Sequence, residues 1–327
     1  MGIFKIKNKI RDFIRKYDEI VTPILRFVWA LIVFMSVQKM FNYSDLGAKK
    51  EVTVLLAVLA ALLPDAFMFF MAGVLIALHT FSASLEVGAI FLVMFILMYA
   101  TYVRFFPKYA YVVLMVPVFY LLDIPFAAPI IVALVAGIGG LVPAIYGVVI
   151  YYFSDCTKDI VRQISIQDAD DQLETIKNLM NTFLNNKEMY IVFVIFAITI
   201  LFTSIMIKFN YPYAMYVAIG AGTIINVVGA IFAGSVMHID APMDKVFLGT
   251  IVGVILALVL RFGQGILDYQ HTQRVQFEDD DYYYYVKAVP KIDSEKPKTE
   301  KTKAAKRPVK RPEKKTEAPV EQGQIVS

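Results

Sequence analysis

The sequence predicts an all-α membrane protein: a polytopic helical bundle of about eight hydrophobic segments with interrupted helices, followed by a disordered C-terminal tail. Of its 327 residues, 58% are hydrophobic and 18% are charged, whereas soluble domains are about half apolar and about a quarter charged. Between Val21 and Leu267 the charges cluster in short gaps that separate apolar runs long enough to cross a bilayer. The runs are continuous rather than alternating, which excludes a membrane β-barrel.

Hydropathy and charge divide the chain into five parts. These are a basic amphipathic interfacial helix over 1–20, a membrane bundle with two interrupted segments over 21–153, a cytoplasmic amphipathic helix over 154–188, a second membrane bundle over 189–267, and a tail over 268–327. The first part suits a helix lying on anionic lipid, with an ordinary basic flank as the alternative. In the third part, apolar residues such as Ile176 and Phe183 repeat at helical spacing, which predicts a helix against the membrane or a partner.

Basic residues at both ends predict that both termini lie in the cytoplasm, because positively charged flanks stay on that side of a membrane. If Arg104, Lys108 and the 154–188 segment are cytoplasmic too, the chain before residue 154 must cross an even number of times. That condition holds if each interrupted stretch enters and leaves on one side or crosses as a pair of short helices. Reading each stretch as one plain span instead gives eight crossings and puts the 154–188 segment outside.

Two Leu/Asp/Pro interruptions break the first bundle. Leu63-Pro64-Asp65 lies within the apolar stretch 52–79, and Leu122-Asp123-Ile124-Pro125 lies within the stretch 109–153. Proline lacks a backbone donor and disfavours helix in the residue before it. An aspartate at membrane depth is costly unless it faces water or a partner. Each stretch is therefore expected to form short helices that meet at a break.

Interrupted helices in corresponding halves of a membrane protein indicate a substrate or ion site near the midplane. The residues expected there are Asp65, Asp123, Pro64, Pro125 and Asn226. The two carboxylates and the carbonyls freed at the breaks would bind a cation, a proton or a polar solute, with an amide from Asn226. The alternative is that both breaks are ordinary turns with aspartates in water, and that Asn226 only joins two helices.

The tail begins with acids and tyrosines and continues as a basic run. Its expected partner-binding residues are Asp281, Tyr282, Tyr283, Tyr284 and Tyr285, which could dock by adding a strand to a cytoplasmic protein. The twelve basic residues between 287 and 315 suit anionic lipid, or simply form a solvated segment that fixes the topology. From residue 293 onward the composition predicts disorder.

Motifs of enzymes are missing from the sequence. It contains no phosphate-binding G-x-x-x-x-G-K-[ST] loop and no H-E-x-x-H pair, and its single cysteine, Cys156, forbids an internal disulfide. We therefore expect no enzymatic activity, no cofactor, no metal and no nucleic-acid partner. A homo-oligomer stays open.

The segment FEDDDYYYYVKAVPK, residues 277–291, resembles the tail of uncharacterised multi-spanning membrane proteins of Gram-positive anaerobes, some of which carry a transporter-permease label. The resemblance implies a protein of the bacterial cytoplasmic membrane and leaves the activity open. Two functions are compatible with the sequence. The first is a permease-like component for a small solute or ion, with its site at the broken helices. The second is a non-catalytic membrane scaffold that recruits cytoplasmic partners through its tail.

Overall fold

The computed structural model describes residues 16–164, 172–209, 213–237, 243–264, 273–278 and 283–288. The chain divides into two compact units, 1–265 and 266–327. The helices described in the first unit are α1 (Asp18–Phe41), α2 (Lys50–Leu62), α3 (Asp65–Ala83), α4 (Leu85–Met98), α5 (Ala110–Leu121), α6 (Ala128–Val135), α7 (Leu141–Ile164), α8 (Gln172–Leu184), α9 (Lys187–Ile207), α10 (Ala214–Met237) and α11 (Met243–Gln264). The second unit contains the strands β1 (Gln273–Glu278) and β2 (Tyr283–Ala288).

The helical unit is an integral membrane bundle, which confirms the predicted class. Seven helical stretches of the described chain are long and apolar enough to cross a membrane. Large apolar side chains such as Val93, Ile224 and Val259 remain more than half exposed on the outside of the bundle. An apolar surface of this extent suits a protein that faces lipid rather than water.

Aromatic rings join helices that are distant in sequence and form much of the core. Phe153 of α7 lies 6.5 Å from Phe41 of α1 and 5.9 Å from Phe91 of α4, measured between ring centroids. All three side chains are fully buried. Such ring pairs stabilise packing beyond the area that they bury.

The first predicted break is confirmed. Leu63 has an extended backbone with φ −97° and ψ 161°, as expected for a residue before proline. Helix α2 ends at Leu62, and α3 begins at Asp65 directly after Pro64. A two-residue turn therefore joins the two helices.

The second interruption is a helix C-cap of the Schellman type. The Ile124 N–H donates to the Phe119 carbonyl over 3.0 Å, and the Asp123 N–H donates to the Tyr120 carbonyl over 3.1 Å. Asp123 has a φ of 59°, the left-handed conformation that this cap requires, and aspartate tolerates it better than most residues do. Pro125 then starts a short 3₁₀ turn that leads into α6.

Helix α6 is short and enclosed by the bundle. It has only eight residues, and positions 128–133 are all buried. Helices α9 and α11 pack against it. The interrupted stretch 109–153 therefore contains three helices, α5, α6 and the start of α7, rather than the predicted pair.

The helices run between two ends of the bundle. One end, which we call the cavity end, holds Tyr43, Asp123 and Asp155, since Tyr43 interacts electrostatically with Asp155 and a single cavity contains both aspartates. At the opposite end, the Tyr102 hydroxyl donates to the Gly139 carbonyl over 2.5 Å. Successive membrane helices alternate in direction between these ends.

The sidedness predicted for the 154–188 segment is wrong relative to the N-terminal flank. Helix α1 reaches the cavity end at Phe41 and, at about 1.5 Å per residue, starts about 36 Å away at the opposite end. Helix α7 ends at the cavity end, and Phe183 of α8 packs there on Phe153 with ring centroids 6.0 Å apart. The error arises because an additional short helix, α6, reverses the chain once more.

The strands of the second unit form an antiparallel hairpin in which Gln273 pairs with Ala288 and Glu278 pairs with Tyr283. The sequence analysis predicted neither β1 nor this pairing. The expected interfacial helix over 1–20 lies, up to residue 15, outside the described residues, as does the basic run after residue 288.

Packing between α11 and the 3₁₀ turn before α6 depends on a glycine. A Cβ atom added at Gly253 would lie 2.8 Å from the Ala127 Cα atom, whereas one added at Gly220 would meet nothing within 4 Å. We expect Gly253→Ala to lower the free energy of unfolding by about 1–3 kcal/mol through overpacking. The matched Gly220→Ala should be neutral or stabilise by up to about 1 kcal/mol through helix propensity. Thermal unfolding in detergent measures both; equal melting temperatures for the two variants would contradict this account.

Candidate functional site: a polar cavity at one end of the bundle

A cavity of about 350 Å³ opens between α5, α7, α9, α10 and α11. Its polar lining consists of three tyrosines, three carboxylates and one lysine: Tyr120, Tyr151, Tyr152, Asp123, Asp155, Glu188 and Lys245. Its apolar wall includes Ile191, Ile195 and Ala233. The volume lies at the lower end of the range of small-molecule sites.

The three tyrosines form a compact aromatic cluster. Tyr120 of α5 stacks on Tyr151 of α7 with ring centroids 3.9 Å apart and planes inclined by 21°. Tyr152 stands edge-on to both rings, at 6.2 Å from Tyr120 and 5.5 Å from Tyr151. The cluster fixes α5 against α7 at the cavity end.

Two of the tyrosines lie beside carboxylates of the lining. Tyr151 lies near Asp155, one turn further along α7, and Tyr152 lies near Glu188 at the start of α9. Lys158 forms an ion pair with Asp155 over 2.7 Å. Asp155 thus has a basic partner on its own helix, and Glu188 lies next to the packed tyrosine cluster.

The third carboxylate pairs with the lysine. The Lys245 Nζ atom lies 2.7 Å from the Asp123 carboxylate, although the two residues are 122 positions apart in the chain. The hydrogen bond from Lys245 lowers the pKa of Asp123 below its usual value. Both side chains keep solvent contact, so the pair is an open ion pair at the mouth of the cavity.

The charge balance of the cavity favours cations. Lys245 and Lys158 offset Asp123 and Asp155, while Glu188 forms no ion pair with a basic side chain among the described residues. Within the described ranges, no group of three or more His, Cys, Asp or Glu side chains lies close enough together to hold a metal ion. The carboxylates therefore act as separate points of negative charge around one space.

Three of the residues predicted from sequence meet at this cavity. Asp123 and Pro125 line it directly. Asn226 lies behind the lining, fully buried, and its Nδ2 atom donates to the carbonyl of the lining residue Phe126 over 2.7 Å. Its Oδ1 atom is buried without a partner in the described structure. Asn226 does join two helices, and its role in a site remains a prediction.

Pro64 and Asp65 do not share this cavity, contrary to the expectation of one joint site. Phe70, in the second turn of α3, packs on Tyr99 at the far end of α4 with centroids 5.1 Å apart. Helices α3 and α5 run in the same direction. The break before α3 and the break after α5 therefore lie toward opposite ends of the bundle. Their separation is about 20 Å, the length of the twelve-residue helix α5 at about 1.5 Å per residue.

The predicted partner-binding residues belong to the second unit. Tyr283, Tyr284 and Tyr285 lie in β2, where they pair with β1. Asp281 and Tyr282 lie outside the described residues. A partner that docks by strand addition would have to use the edge of β2 that faces away from β1, because strand pairing occupies one edge only.

Sequence reasoning missed several polar residues of the cavity: Tyr120, Tyr151, Tyr152, Asp155, Glu188 and Lys245. One local signal was present, since Tyr151 and Asp155 are four residues apart and so share a helix face. The others come from the ends of different helices. The sequence does not indicate which helix ends lie next to each other in the folded bundle.

No protein-family model, curated protein or solved structure matches this chain. The resemblance of segment 277–291 therefore stays an expectation.

The Asp123–Lys245 pair gives the bundle a defined response to acid. Because folding lowers the pKa of Asp123, the pair stabilises the protein above the unfolded-state pKa of about 4, and this is lost as the pH falls through the folded value. We expect Lys245→Met to melt at a lower temperature than the parent at pH 6, and we expect this difference to shrink as the pH is lowered below about 4. A difference that grows toward pH 3 would contradict the pairing.

Proposed function

We propose that the protein is a permease-like membrane component that admits a solute with a positively charged group at the polar cavity. The observation that carries the proposal is the short helix α6, which is buried in the bundle and begins at a cavity lined by three carboxylates. Discontinuous helices that end inside a membrane bundle are a recurrent way to build a transport site. The proposal keeps one of the two breaks predicted from sequence and drops the other.

The charge of the lining selects the solute class. A cation in the cavity gains from Glu188 and from the π-rich tyrosine cluster, whereas an anion meets three carboxylates and gains only from lysines that are already paired. Glu188 lies next to Tyr152, a member of the tyrosine cluster, so the carboxylate and the aromatic faces border the same space.

Buried polar groups continue inward from the cavity. Ile195 of α9 lines the cavity, and Thr199 and Thr203 follow one and two turns further into the bundle on the same helix. Their hydroxyls, and the Thr250 hydroxyl of α11, are buried without a hydrogen-bond partner in the described structure. An unpaired buried polar group is costly, and a path that a polar solute or water uses gives these groups a role.

The scaffold alternative stays a prediction. Three of the tyrosines that it would use lie in β2, which pairs with β1 in the second unit. This pairing neither supplies nor excludes a protein partner.

Flux measurements test the proposal. In proteoliposomes of the full chain, we expect uptake of radiolabelled methylammonium, reduced about tenfold or more by Glu188→Gln, since a charge-assisted hydrogen bond contributes about 1.5–3 kcal/mol. Asp123→Asn should reduce it too, because it leaves the positive charge of Lys245 unpaired at the mouth of the cavity.

Glu51→Gln, an exposed carboxylate at the start of α2 outside the cavity, is the matched control and should keep the parent flux. Uptake that is absent from the parent protein, or equal in Glu188→Gln and the parent, would refute the proposed function.

A further inference from the structure

A second depression adjoins the polar cavity on the lipid-facing side of the bundle. It is a groove of about 490 Å³ between α9 and α10, and its lining is apolar throughout. Three of its residues, Ile191, Ile195 and Ala233, also line the polar cavity. The two spaces are therefore neighbours that share one wall.

Helix α9 connects the chemistry of the two spaces. Glu188, Ile191, Ile195 and Ile198 follow each other at intervals of three, four and three residues, so they lie on one face of the helix. Glu188 belongs to the polar cavity and Ile198 to the groove. The face thus begins with a carboxylate and continues as a row of apolar side chains, over about 15 Å from Glu188 to Ile198.

The groove is open toward the hydrocarbon region of the bilayer. Ile198, Ile224, Val228 and Phe232 line it and are each half or more exposed. Gly229 provides part of the space, because a Cβ atom there would come within 3.2 Å of Ile195. A surface of this composition at membrane depth is covered by hydrocarbon chains.

We infer that the solute of the proposed permease is an amphiphile, a lipid whose head group carries an amine. Its ammonium group lies in the polar cavity on the carboxylate of Glu188, and one acyl chain lies in the groove along Ile191, Ile195 and Ile198. This inference rests on the proposed function and names its substrate class.

An amine-bearing lipid would occupy both the polar cavity and the apolar groove. A small hydrated cation would contact the carboxylates and leave the groove unexplained. A lipid without an amine would fill the groove and place no positive charge at Glu188. An amine-bearing lipid matches the charge of the cavity, the apolar character of the groove and their shared wall, and it reaches the site sideways from the bilayer.

The test uses tryptophan fluorescence and lipids that carry bromine on an acyl chain. The single native tryptophan, Trp29, is replaced by Trp29→Phe, and Phe232→Trp places a reporter in the groove. The full-length protein is reconstituted in vesicles in which either phosphatidylethanolamine or phosphatidylglycerol is the brominated lipid. We expect phosphatidylethanolamine to occupy the groove about tenfold more than phosphatidylglycerol, as one charge-assisted hydrogen bond predicts.

Adding Glu188→Gln should abolish this preference, whereas Glu51→Gln should keep it. Ile251→Trp on the lipid-exposed side of α11, outside the groove, should be quenched equally by both lipids. If Phe232→Trp does not fold, Ile224→Trp reports from the same groove. Equal quenching of the groove reporter by both lipids, or a preference that survives Glu188→Gln, overturns the inference.

The proposed function can be judged separately. Methylammonium uptake that depends on Glu188, without any lipid preference, keeps the permease and overturns the amphiphile. A Glu188-dependent lipid preference in a protein that moves neither methylammonium nor lipid keeps the lipid site and overturns transport.

Discussion

Within a bilayer, each backbone N–H and C=O group has to find a partner inside the protein, and the architecture of this chain follows from that constraint. The chain departs from helix at residues 122–125, at the cavity end of the bundle and directly before the buried helix α6. It does so with the Schellman cap, in which Asp123 and Ile124 donate back to α5. Because the backbone is satisfied there, α6 can begin immediately and stay enclosed. Without the cap, the turn would expose unpaired carbonyls next to a buried helix.

The same turn connects fold and chemistry. A left-handed residue at a helix end is most often glycine, and an aspartate in that place adds a carboxylate at a point where the backbone is already fixed. Asp123 thereby reaches Lys245 at the start of α11, while α6 packs against the side of α11 that faces the bundle. The left-handed conformation of Asp123 thus has three consequences. It closes the helix cap, it lets α6 begin, and it places one wall of the cavity.

The sequence was informative about membrane helices and less so about their arrangement. Apolar runs and the proline breaks predicted the helices and the turn at Pro64, because span length and proline chemistry act locally. The buried helix α6 was missed as a separate element, since eight residues between Pro125 and a glycine cluster look like part of a longer span. The cavity was predicted only through Asp123, Pro125 and Asn226. Tyr152 and Glu188 meet through the packing of α7 on α9, which no local pattern encodes.

The short helix α6 has a consequence for every residue that follows it. It adds little to a hydropathy profile, yet it inverts the orientation of the chain from Leu141 to Gln264 relative to the bilayer. Two relatives with and without such an element could have nearly the same apolar segments and still hold their second halves in opposite orientations across the membrane. An eleven-residue insertion of this kind, 125–135 here, is therefore a way to evolve dual or inverted topology without changing a single charged loop.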